Sequence, residues 1–144
     1  MTTVGIQQPT YLPWLGYFEQ IARADVFVIL DTVQFEKRSW QNRNRLKTVA
    51  GETFWLTVPV TDLPLETPIK DITIAKNNPW RKKHLGSIRA SLGAASHFKT
   101  HFPAIEAWLT KESDHLAQVN VGGIKTMMDI LGINAFHGDS SAVL

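Results

Sequence analysis

The segment Gln34–Lys47, QFEKRSWQNRNRLK, concentrates much of the ligand chemistry that this chain displays. Its fourteen residues hold five cations, four side-chain amides and one tryptophan. Arg38, Arg43 and Arg45 can each fork onto phosphate or carboxylate oxygens, Lys37 and Lys47 act as point charges, and Trp40 offers a stacking face. A solvated strand edge that resists aggregation would account for the lysines. It accounts less well for Gln41-Asn42-Arg43-Asn44, where four hydrogen-bonding side chains in a row point to recognition of something polar. Lys37, Arg43 and Lys47 are the candidate phosphate holders, with Trp40 and Asn42 beside them.

A second stretch, Gly5–Tyr17, reads GIQQPTYLPWLGY. Pro9 and Pro13 fix φ and remove donors, so the segment is neither a central strand nor a helix interior. It leaves a strand at Thr3–Ile6, runs as a stiff loop, and enters a helix near Leu15–Gly16. Strand, loop and helix N-terminus form a common ligand cradle in α/β proteins. Gln8, Tyr11, Trp14 and Tyr17 are the candidate lining of its pocket, although a well-packed Pro-aromatic corner would use the same residue types. Asp31 ends the next strand at its C-terminal edge, where open α/β sheets usually bind ligands, and Gln34 is a further candidate contact.

The elements that must position these residues follow from periodicity. Gly16–Arg23 has one apolar face at helical spacing, and Val26–Leu30 is an unbroken β-branched and aromatic run of the kind buried in a parallel sheet. Together with Thr3–Ile6 they make a βαβ unit. Ser39–Thr48 and Thr53–Val58 predict a hairpin turning at Gly51. Asp71–Ala75 reads as another short strand and Trp80–Leu92 as a basic amphipathic helix. Helices are expected over Pro103–Lys111, with Pro103 as first residue, and over Ser113–Leu131, where Gly122-Gly123 leaves room for a bend or a break. Ile133–His137 reads as a last strand after a Gly132 stop.

Bulk properties narrow the classes. At 144 residues and 44% hydrophobic the chain suits one domain, residues 1–144. Its net charge of +2 is uneven, with +4 over residues 36–47 and +6 over residues 76–101, a layout that suits an anionic ligand. The absence of cysteine removes disulfide, thiolate and thiol chemistry. No nucleotide-binding glycine loop, metalloprotease helix or serine-hydrolase elbow occurs, and the five histidines form no close ligand motif, so no metal is expected. The start lacks the basic and apolar parts of a signal peptide, and no apolar run approaches membrane-spanning length, which predicts a cytoplasmic protein without membrane insertion. Nucleic acid ranks behind a small ligand because the net charge is low.

In order along the chain, QQPTYLPWLGYFEQIARADVFVILDTVQFEKRSWQNRNRLK, GETFWLTVPV, NPWRKKH, LGI and SS resemble the WbqC-like protein family. The likeness runs from Gly5 to Ser141 and is densest over residues 5–60. It departs at Gln7, where members often carry His or Met, and at Leu92, where they usually carry Tyr. Members continue into a second half that this chain lacks, so exposed apolar surface and a homo-oligomer are expected consequences. The resemblance implies a role in surface-polysaccharide (O-antigen) biosynthesis on a nucleotide-linked sugar or other phosphorylated small molecule. Two activities stand open: acyl or aminoacyl transfer or ligation onto an amino sugar, with ATP as candidate co-substrate, or a non-catalytic binding module. The strand, P-W-L-G-Y, helix order also looks like the H-x-G-H arrangement of nucleotidylyltransferases, with Trp14 and Tyr17 in the histidine places. The expected fold is α/β, a Rossmann-like three-layer, mostly parallel sheet with an inserted antiparallel hairpin.

Overall fold

The computed structural model describes residues 1–134, and they form a mixed α/β structure with four helices and two small sheets. β1 (Val4–Gln7), α1 (Leu15–Arg23) and β2 (Val26–Ile29) make the expected βαβ unit, with β1 and β2 parallel and Val4 opposite Val26. β3 (Arg43–Lys47) and β4 (Thr53–Thr57) pair antiparallel around a turn in which Gly51 has φ +93°, a conformation that glycine adopts without strain. The hairpin is a separate two-stranded sheet rather than an insertion in a larger one. Among the described residues the parallel sheet has two strands, so a broad three-layer sheet is not seen in them.

α2 (Trp80–Leu92) occupies the expected residues, while α3 (Phe98–Thr110) and α4 (Leu116–Leu131) differ at their starts. Pro103 lies inside α3 instead of opening it. Phe98 and Phe102 stack one turn apart, with ring centroids at 4.5 Å, and Phe102 is buried, so packing carries the helix past the proline on its N-terminal side. Asp71–Ala75 is not a strand. A single 3-10 turn spans Ile69–Asp71, after which Thr73 and Ile74 make isolated bridges to His115 and Val60. The inward alternation of Ile72 and Ile74 is present, but no neighbour runs alongside long enough to form a ladder. The strand expected at Ile133–His137 falls largely outside the described residues.

Helix α4 is the spine of two apolar clusters. Its first half supplies Leu116 and Val119 to a cluster that holds Leu56, Val58, Trp80 and Phe102. Its second half supplies Ile124 and Met128 to the cluster of Tyr17, Phe18, Ile21, Phe27 and Ile29 beneath the parallel strands. α4 runs unbroken through Gly122-Gly123, and the two glycines admit Trp108 against the helix. A Cβ at Gly123 would stand 2.5 Å from Trp108 Cζ2, and the indole is held by its Nε1–H, which donates to Val119 O at 2.8 Å. Gly123→Ala is expected to cost about 2 kcal/mol through overpacking. Urea unfolding measures it, and an unchanged midpoint would mean that Trp108 yields freely.

The basic start of α2 is relieved from within the chain. Arg81 donates to Leu109 O in the last turn of α3 and to Ser113 O in the loop beyond it, at 3.0 and 3.2 Å. The outer face of the β1–β2 pair is left open: Val4 and Ile6 are 54% and 57% exposed. No helix of the described residues is long and apolar enough to cross a membrane.

Candidate functional site

The Pro9–Pro13 loop is set by the segment that follows β2. Tyr11 N donates to Trp40 O at 2.9 Å. The Asn44 amide donates to Tyr11 O and, at 2.6 Å, to Leu12 O. Leu12 has φ +49°, a left-handed conformation that costs a non-glycine residue roughly 1–2 kcal/mol, so its carbonyl is fixed where the backbone is least comfortable. Gln41 Nε2 donates to Gln8 Oε1 at 2.7 Å, while Gln41 Oε1 accepts from Glu36 N. From behind, the fully buried Asn120 of α4 donates to both Pro9 O and Gln41 O, at 3.1 and 2.7 Å. Asn42 is also buried and donates to Val58 O, holding the hairpin closed. The run Gln41-Asn42-Arg43-Asn44 therefore spends its amides on the chain's own loop and hairpin.

This stitching leaves a cleft of about 440 Å³ between the loop, the N-terminus of α1 and the hairpin. Gln7, Thr10, Pro13, Trp14, Tyr17, Trp40 and Asn44 line it. The Trp14 indole folds over Gly16, where any Cβ would collide with it, and remains 69% exposed. Trp40, also in the lining, is 50% exposed. Tyr17 is the one ionisable side chain of the lining. Burial pushes its phenol well above its ordinary range, and its hydroxyl donates to Gln8 O at 3.0 Å. The surface is aromatic and amide in character, without charge.

The candidate residues thus separate. Trp14, Tyr17 and Trp40 meet at the cleft, and Gln8 borders it through Tyr17 and Gln41. Tyr11 does not line it. Its ring is wholly buried, and its hydroxyl meets His84 Nδ1 at 2.7 Å within the core. Asp31 lies at the same C-terminal edge of the parallel strands but lines a different hollow, with Lys70, Lys111, Gln118 and Lys125. Gln34 and Lys37 border a third hollow, and Lys37 is paired with Asp62 at 2.8 Å, which lowers the carboxyl's pKa. Lys37, Arg43 and Lys47 therefore do not converge on one point.

Strand alternation places Arg43, Arg45 and Lys47 on the outer face of the hairpin, opposite Thr57, Trp55 and Thr53. The Arg43 guanidinium lies 4.1 Å from the centre of the Trp55 ring, and the Trp55 and Trp40 rings are 5.6 Å apart. Gln7, Thr10 and Pro13 in the cleft and Trp55 on this face were not among the candidates, while Asn44 and Arg45 were noted for their chemistry but left out of the narrower site set. The period-two pattern of β3 carried the signal for Arg45.

A sequence profile of the WbqC-like protein family matches residues 8–143. Uncharacterized protein Rv1507c of Mycobacterium tuberculosis is 35% identical over an alignment of 140 residues, and the alignment covers 93% of this chain. The chain spans 58% of that relative's length. No solved structure matches significantly. From Gln8 at the rim of the cleft onward, this chain belongs to the WbqC-like protein family.

Proposed function

We propose that this domain binds the sugar of an activated precursor in surface-polysaccharide assembly, as a holding module. The observation that carries the reading is the uncharged cleft between Trp14 and Trp40. Indole faces suit the apolar face of a pyranose ring, and the amides of Gln7 and Asn44 with the Thr10 hydroxyl suit its hydroxyls. A charged ligand would find no partner in that lining. Neither would a reaction that needs a general base near neutral pH, since Tyr17 holds its proton far above it. The alternative, acyl or aminoacyl transfer or ATP-dependent ligation, draws on the hollow around Asp31 at the same sheet edge, where lysines from separate segments face a buried carboxylate.

Tryptophan fluorescence and calorimetry with hexoses and N-acetylhexosamines test the reading. Removing one indole gives up about 1 kcal/mol of apolar contact, so Trp14→Ala and Trp40→Ala should each weaken sugar binding roughly fivefold. Wild-type protein that binds no sugar of the panel would remove the proposal.

A further inference from the structure

We propose that the outer face of the β3–β4 hairpin is a nucleoside-diphosphate subsite contiguous with the cleft. It rests on reading the cleft as a sugar site, and it assigns the leaving-group half of the same ligand. Arg45 is the centre of the argument. Its guanidinium lies 5.6 Å from the Trp55 ring centre and 5.9 Å from that of Trp40, so it bridges two exposed indoles. Arg43 covers Trp55 from the adjoining position on the strand, and its buried Nε–H has no hydrogen-bond partner. Among the described residues, neither arginine nor Lys47 forms an ion pair, whereas Lys37 on the preceding loop does.

The geometry selects the ligand class. Arg43, Arg45 and Lys47 share one strand face over roughly 14 Å, and the β4 residues opposite them are Thr57, Trp55 and Thr53, so no carboxylate is paired across that face. A diphosphate presents oxygens that guanidinium forks match, and a nucleobase presents the flat ring that an indole accepts. Trp40 belongs to both surfaces, lining the cleft on one side and meeting Trp55 on the other. A neutral sugar in the cleft would therefore place its anomeric phosphate toward Arg45. Single-stranded nucleic acid would use the same chemistry, but the neutral cleft interrupts the basic strip at Trp40 and limits the site to one nucleotide.

The test uses the full chain and UDP and ADP without any sugar, titrated in calorimetry at low and raised salt. Wild-type protein should bind a diphosphate, more weakly as salt rises. Arg45→Ala and Trp55→Leu should each lose at least tenfold in affinity, while Lys37→Ala, whose charge is already paired with Asp62, should bind as wild type. Circular dichroism melts of the two hairpin variants show whether they remain folded. Diphosphate affinity unchanged in both folded variants would overturn the subsite. So would binding that grows with the length of an oligonucleotide while UDP and ADP show none. Sugar binding without diphosphate binding would sink this inference alone, and diphosphate binding without sugar binding would sink the reading of the cleft.

Discussion

Asn120→Ala should lower the melting temperature by roughly 10 °C and abolish sugar binding. The wild-type amide gives one hydrogen to Pro9 O and the other to Gln41 O in a site with 1% exposure. Alanine leaves both carbonyls buried without a donor, at about 1–3 kcal/mol each, or about 4 kcal/mol together. For a chain of this size each kcal/mol shifts the midpoint by about 2–4 °C. Asn120→Asp should be worse, because a carboxylate would face two carbonyl oxygens in a dry place. Asn120→Leu separates packing from hydrogen bonding, since it refills the volume and still offers no donor. A leucine variant as stable as wild type, by calorimetric melting, would show that the clamp is steric.

Acid should loosen the core through one histidine. His84 Nδ1 and the Tyr11 hydroxyl are hydrogen-bonded at 2.7 Å, and the ring also hydrogen-bonds the Thr57 backbone. Burial pulls its pKa from 6.5 down to about 4, against the smaller upward effect of that backbone bond. The same burial, opposed by the Arg81 charge, pushes the Tyr11 phenol upward, so the hydroxyl stays protonated. The unfolded chain takes up the imidazole proton near pH 6.5 and the folded one only near pH 4. Stability from this group is therefore complete above pH 6.5 and drains away as pH falls toward 4, by about 3 kcal/mol. Urea titrations at pH 7 and pH 4 measure the loss. His84→Gln, which keeps an acceptor and a donor, should flatten that slope, and a variant retaining all of it would place the acid sensitivity elsewhere.

The amide run shows where sequence reasoning succeeds and where it stops. Three of the four polar side chains at residues 41–44, the amides of Gln41, Asn42 and Asn44, do recognise something polar, and their density was legible. That the partner is the chain's own loop was not, because the loop lies about thirty residues away and its clamp sits on α4. Val26–Ile29 and Trp80–Leu92 were readable because each is long or strongly patterned enough for periodicity to decide it. Ile72 and Ile74 alternate like a strand, yet a ladder needs a neighbour that sequence does not display. Pro103 misled for a related reason, since the Phe98–Phe102 stack that extends α3 past it is a tertiary preference. In the site, aromatic character located Trp14, Tyr17 and Trp40, whereas Tyr11 has the same character and went to the core. Burial sets Tyr11 apart from Trp14 and Trp40 but not from Tyr17, which is also buried and still lines the cleft.

The Asn120 clamp also orders events during synthesis. Every residue that lines the cleft lies between Gln7 and Asn44, and the amide that fixes their backbone comes 79 residues after Gln41 and 111 after Pro9. At about 5–20 residues per second, a ribosome needs roughly 4–16 s to pass from one to the other. Over that interval the tryptophan-bearing loop and then the hairpin are synthesised without their anchor. The cleft is thus completed late in biosynthesis: a nascent chain arrested before residue 120 would carry every lining residue without the amide that fixes the backbone behind them.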